Sequence, residues 1–146
     1  MAELFHQGAA DLAEDARQLL TELDRDIPGA AAATGECRPL LDVIETAHAL
    51  EVIVDVPGVS PDSLRVAIRR NTLLVVGAKL GLPVDANARF HLAERSYGRF
   101  ARAIRLTGAF DGARARAVAK AGQLRITLPL LEDRRGQLLT IPVEHA

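Results

Sequence analysis

Four histidines, His6, His48, His91 and His145, and one cysteine, Cys37, are the obvious nitrogen and sulfur donors of this chain. No two histidines stand four residues apart and no second cysteine exists, so the spacing offers no metal site and no intrachain disulfide. Ser60, Ser63 and Ser96 lack the strand-turn-helix surroundings that expose a nucleophile. Neither the P-loop pattern nor G-x-G-x-x-G occurs, so nucleotide use is not indicated. With 19 acidic residues, carboxylate pairs arise by chance. We therefore expect no catalytic residues, no metal and no cofactor. The chemistry that remains is non-covalent. Ile141 and Val143 straddle Pro142, and two aliphatic side chains at i and i+2 point to one side of an extended segment. Pro142 cannot donate to a ladder, which suits an edge strand. A strand-like tag on a strand-rich body suggests that copies dock tails into one another's sheets.

The elements that would position such a tag follow from composition and period. At 146 residues, 49% apolar, the chain suits one domain with arms. Aromatics make up 3% and Trp is absent, so the core must be aliphatic. The net charge of −1 argues against nucleic acid as a partner. That sum hides an asymmetry. Residues 1–36 carry Glu3, Asp11, Glu14, Asp15, Glu22, Asp24, Asp26 and Glu36, whereas residues 89–125 are rich in arginine. An acidic arm facing a basic sheet within an oligomer is the favoured reading. No apolar leader and no run near the roughly 18 residues of a membrane span are present, so we expect a cytoplasmic protein.

Leu12, Ala16, Leu19, Leu20 and Leu23 recur at helical spacing. With Asp11 as N-cap and Glu14 three residues on, a short amphipathic helix is predicted over Asp11–Asp24, ended by Pro28-Gly29 and followed by the linker Ala30–Gly35. Such a short helix needs a partner surface, either its own domain or another subunit. From Arg38 the period changes to two. Leu41/Val43 and Leu50/Val52/Val54/Val56 read as a hairpin, and Leu64/Val66/Ile68 as a half-buried strand. Thr72–Val76 is apolar on both faces and reads as central. Strands follow at Gly98–Leu106, Ala113–Lys120 and Gln123–Leu128, stopped by Pro129. About seven short strands with no helical period among them predict an all-β fold, an immunoglobulin-like antiparallel β-sandwich. A short N-terminal helix precedes it and an extended C-terminal tail follows. The expected division is an arm over 1–37, the sandwich over 38–130 and the tail over 131–146.

The ordered set Gly98-Arg99-Phe100, Arg102, Arg105-Leu106, Ala117–Leu124 and Thr127-Leu128-Pro129 resembles the core signature of the small heat-shock proteins, the α-crystallin-domain chaperones. Glu94–Gly98, Asp55–Val59 and Ile141-x-Val143 add to it, so that the likeness covers roughly residues 38–143. The resemblance implies an ATP-independent holdase that binds unfolded client proteins, works as a homo-oligomer of dimers and passes clients to ATP-driven chaperones. It implies that Ile141 and Val143 enter a groove formed by Leu64, Val66 and Ile68 with Ala113, Ala115 and Ala117. It also implies that Arg102 sits at a subunit contact, where a carboxylate is expected against it because an unpaired buried guanidinium is costly. Leu12, Leu19, Leu20 and Leu23 would be the client or assembly face of the arm. The alternative for the alanines is simple close packing on the other sheet, and for Arg102 a snorkelling edge residue.

The chain departs from the family pattern at Thr107, where proline is usual, and in the apolar loop Ala78–Leu82. Residues Arg89–Leu92 would be the strand that pairs with a neighbouring subunit in bacterial and plant members. A second functional class also fits: a monomeric co-chaperone-type sandwich module, which would have no need of the tail pair.

Overall fold

The computed structural model describes residues 2–31, 35, 37–131, 138 and 140–145. Residues 32–34 and 36 of the expected linker, and 132–137, 139 and 146 of the expected tail, lie outside the described residues. In chain order the elements are helix α1 (Ala2–Asp26) and strands β1 (Leu41–Glu45), β2 (Ala49–Asp55), β3 (Leu64–Arg69), β4 (Thr72–Lys79), β5 (Gly98–Arg105), β6 (Arg116–Lys120) and β7 (Gln123–Pro129). Single 3-10 turns, Pro61–Ser63 and Gly112–Arg114, lead into β3 and β6. The strands form two antiparallel sheets, ordered β1-β2-β7-β6 and β3-β4-β5.

Alternation explains how the sheets stack. Leu50, Val52 and Val54 of β2 register against Leu128, Ile126 and Leu124 of β7, so all six point to one face. That face meets Leu64, Leu73, Val75, Phe100 and Ile104 of the other sheet in a mainly aliphatic core, against which Phe110 also packs. The β6–β7 hairpin turns through Ala121 (φ 53°) and Gly122 (φ 76°), the left-handed pair that a two-residue hairpin needs. Gly77 has a different reason to be small. It stands between Leu64 and Phe100 in register, and a β-carbon there would run into the Phe100 ring and the Ser63 carbonyl.

β4 is buried on both faces, as its unbroken apolar run predicts. The inner face belongs to the sandwich. The outer face is built from rows across three strands: Arg69-Thr72-Arg105, Ala67-Leu74-Ala103 and Arg65-Val76-Ala101, with Ala78 beside Arg99. Helix α1 lies over these rows, and Leu23 is fully buried with Ala30 and Ala78, flanked by Leu20, Ile27 and Leu80. Burying one leucine contributes roughly 1.5–3 kcal/mol, which makes this contact the apolar anchor of the arm.

Charge aligns the helix on its floor. Asp15 accepts two hydrogen bonds from Arg69, at 2.6 and 2.9 Å. Asp24 pairs with Arg99 at 2.8 Å and Asp26 with Arg65 at 3.3 Å. The acidic arm thus meets the basic sheet inside one chain, where the sequence suggested a meeting between subunits. The Arg69 hydrogen bonds hold the Asp15 carboxyl below its ordinary 3.8, and Asp15 raises Arg69 in return. Asp26 is lowered too, first by Arg25 and then by Arg65.

The helix begins at Ala2, well before the expected Asp11. Residues 2–10 are mostly Ala, Leu, Glu and Gln with no proline, so a helix nucleated on the sheet propagates outward past Gly8. Asp11 is accordingly an interior residue and not a cap. Glu14, expected as the other half of a capping box, instead pairs with Arg17 at 2.9 Å.

Two outcomes are expected. Gly77→Ala should lower the denaturant-unfolding stability by roughly 1–3 kcal/mol through overpacking, and Phe100→Leu should offset part of that loss in the double variant. A carboxyl with a depressed native pKa stabilises above its unfolded value and loses that effect as pH falls through the depressed one. The α1 attachment should therefore persist at pH 5 and weaken only below 3.8, while high salt should weaken it at neutral pH. The nuclear Overhauser contact between Leu23 and Ala78 methyls reports both; its persistence unchanged in about 1 M salt, where exposed charges are screened, would show that charge is irrelevant to docking.

Candidate functional site

The tail pair lies outside every strand of its own chain. Ile141 is 82% and Val143 90% exposed, and neither Pro142 nor its neighbours adopt regular structure. Two large aliphatic side chains two positions apart thus stand in water on an extended segment. Leu138, just upstream, is equally bare.

An incompletely covered apolar surface lies at one flank of the sandwich. β3 and β6 are the terminal strands of their sheets. They lie on the same side, because the turn before β6 touches β3: a β-carbon on Gly112 would sit 3.5 Å from the Ile68 side chain. Ala117 and Ala119 face inward in register with Ile126 and Leu124. Ala117 is nevertheless exposed while Ile126 is fully buried, because a methyl group does not fill the space between the two edges. Val66, Ile68, Ala115 and Ala119 pack against the core yet stay partly open, and Leu64 is buried at the far end.

Ala113 falls out of this set. The alternation that placed it on a strand breaks because Asp111 caps the 3-10 turn, accepting a hydrogen bond from the Ala113 backbone N–H at 3.1 Å. β6 therefore starts at Arg116, and the methyl face is Ala115, Ala117 and Ala119.

The opposite flank holds Arg102. Its register partner is Val75, which directs it to the inner face at the β5 edge. Within the chain no carboxylate meets it among the described residues. Its guanidinium donates instead to the Pro39 carbonyl, where the chain crosses this edge on its way into β1. Beyond the same edge, residues 80–97 form no strand, and Arg89–Leu92 are unpaired within the chain. Leu82, Val84, Phe90 and Leu92 are all more than half exposed, as is Val118 on β6; Val43 and Ile44 of the edge strand β1 are nearly so. The turn of β4 into this loop is held by Tyr97, whose ring carries Arg95 at 5.1 Å and Lys79 at 6.0 Å.

In the arm, Leu23 is buried and Leu12, Leu19 and Leu20 are half-buried against the sheet, so the expected client face is turned inward. The sequence did not single out Asp15, Asp24 and Asp26 as partners of Arg69, Arg99 and Arg65. The signal that could have found them was the opposed charge of arm and strands. Among the described residues no His/Cys/Asp/Glu group could hold a metal, and no helix is long and apolar enough to cross a membrane.

Comparison with known proteins bears on the family and the fold. A model of the Hsp20/alpha crystallin family matches residues 42–144. "Spore protein SP21" of Stigmatella aurantiaca is 35% identical over 91 residues, 62% of this chain and 54% of that protein. The "16.6 kDa heat shock protein" of Oryza sativa subsp. japonica is 33% identical over 132 residues, 82% of this chain and 86% of that one. The chain spans between about half and two thirds of the length of some relatives: 54% of SP21 and 63% of "Small heat shock protein C4" of Rickettsia felis. Among solved structures, heat shock protein 16.0 from Schizosaccharomyces pombe superposes with a TM-score of 0.64 at 26% identity, covering 75% of this chain and 100% of that one. The matched span runs from β1 through Val143, and the chain belongs to the Hsp20/alpha crystallin family, the small heat-shock proteins.

Proposed function

We propose that this chain is an ATP-independent holdase, working as a homo-oligomer in the cytoplasm and handing clients to ATP-driven chaperones. The observation that carries the reading is the pairing of an exposed Ile141-x-Val143 with a flank where Val66, Ile68 and Ala117 remain open. The tail of one copy fills that flank on another. Each contact buries only two aliphatic side chains, so it is individually weak, and many together hold an assembly that can still open. Once vacated, the flank and the apolar stripe of α1 offer surfaces to the exposed hydrophobic segments of an unfolding protein. No step in this scheme needs a nucleotide. Residues Arg89–Leu92 and the free edge of β1 supply the dimer contact in this reading, with Arg102 beside it.

One observation favours a second reading. α1 is spent on its own sheet, as suits a self-contained monomeric module of the co-chaperone type that binds one specific partner.

Light scattering separates the two. A chain ending at Leu138 should drop to a dimer-sized mass while the full chain is larger; a full-length monomer unchanged by truncation would leave only the second reading. At an equimolar subunit ratio without ATP, the full chain should also suppress the turbidity of a heated client, and undiminished turbidity would end the holdase proposal.

A further inference from the structure

The outer face of β3-β4-β5 has the dimensions and charge of a trough for a helix. Its rails are arginines: Arg65 and Arg69 on β3, Arg99 and Arg105 on β5. The two rails are separated by one strand, roughly 10 Å at the usual spacing, which is about the diameter of an α-helix. Its floor is Leu74, Val76 and Ala78, bordered by Ala67, Ala101 and Ala103. Asp15 and Asp26 of α1 lie about 16 Å apart along a helix, and Arg69 and Arg65, which they meet, about 13 Å apart along a strand. The helix thus runs along the rails. An aliphatic floor with alanine borders offers no polar group with which to demand one particular sequence. What it does demand is an apolar stripe between carboxylates.

The resident helix fills this trough incompletely. At its Leu23 end it is tightly seated. Toward Asp11 an open cleft of about 890 Å³ is lined by Leu12 and Leu19 of the helix and by Ala67, Leu74 and Ala103 of the sheet, with Leu74 itself buried. Arg105 lines that cleft and has no carboxylate partner among the described residues. The fit is that of a place-holder, held by three partly exposed ion pairs, of which the two-point Arg69–Asp15 contact is the best formed.

We propose that this face is a docking surface for acidic amphipathic helices of unfolding proteins, and that α1 is its built-in occupant, displaced when such a helix arrives. The proposal rests on the holdase reading and adds a second surface to it, distinct from the flank that takes the tail. Because α1 occupies the trough first, the apparent affinity for an incoming helix is its intrinsic affinity reduced by the fraction of chains with α1 undocked.

The test uses the full chain and two fluorescein-labelled synthetic peptides read by anisotropy. One has the α1 sequence. The other has an unrelated sequence with aspartates and leucines at the spacing of Asp15, Asp24 and Asp26 and of Leu12, Leu19, Leu20 and Leu23. Both should bind the Asp15→Asn/Asp24→Asn/Asp26→Asn chain about tenfold more tightly than the unaltered chain. Binding should be lost in Arg65→Glu/Arg69→Glu/Arg99→Glu and restored there by a peptide with lysine in place of each aspartate, which also shows that this variant is folded. Affinity unmoved by releasing α1, or unmoved by the arginine changes, overturns the proposal. Binding of the α1 sequence alone also overturns it, in favour of arm exchange between copies. Failure of the holdase reading shows separately, as client turbidity left unchanged by a chain that still binds the peptides.

Discussion

A strand that is apolar on both sides obliges a two-sheet sandwich to find a third layer. β4 is that strand: Leu73 and Val75 enter the core between the sheets, while Leu74, Val76 and Ala78 point the other way. Left uncovered, the outer row would put a contiguous aliphatic patch in water. α1 is the cover, and its position follows from what lies beneath it. Leucines meet the floor, and aspartates meet the arginines that flank the floor on β3 and β5. The arm is therefore part of the fold's hydrophobic economy as well as an appendage available for binding. Any event that frees it also bares the face below.

The two flanks of the sandwich are open for different reasons. At β3 and β6 the cause is side-chain volume: alanine at 115, 117 and 119 leaves Val66 and Ile68 without a full partner layer. At β5 and β1 the cause is missing chain. The loop that follows β4 contributes no strand of its own, and Arg102 satisfies its guanidinium on the Pro39 carbonyl. Edge strands are ordinarily protected by charge, proline or brevity. Here β1 keeps Val43 and Ile44 at the surface and the nearby loop keeps Phe90 and Leu92 there. This flank therefore leaves aliphatic and aromatic surface in water beside an unpaired strand edge.

Most of the architecture was legible because alternation is a local property. Leu50-Val52-Val54, Leu64-Val66-Ile68 and Leu124-Ile126-Leu128 each declare their buried face within six residues, and the Ala121-Gly122 turn declares its hairpin. What escaped was decided elsewhere in space. Asp11 carries a cap signal that loses to a helix already anchored through Leu23. Ala113 continues a perfect alternation, yet Asp111 turns the chain beneath it. Gly77 looks like an ordinary strand glycine until the Phe100 ring is placed against it. The spacing of Ile141 and Val143 is local and could be read directly, whereas the open flank joins two stretches distant in sequence, β3 and residues 115–119. Only the methyl character of 115, 117 and 119 hinted at it.

The relative strengths of these attachments decide what can move. The sandwich core is a continuous cluster from Leu50 to Leu128, to which both sheets contribute. Opening it costs the global stability of the domain. α1 is held by one fully buried leucine, several half-buried neighbours and ion pairs that are partly exposed to water. The tail pair can bury two side chains, each contributing roughly 1.5–3 kcal/mol before the ordering of the tail is subtracted. Arm and tail therefore sit at the low end of the stability range and the sandwich at the high end. A rise in temperature or a competing apolar segment can release the former while leaving the latter intact.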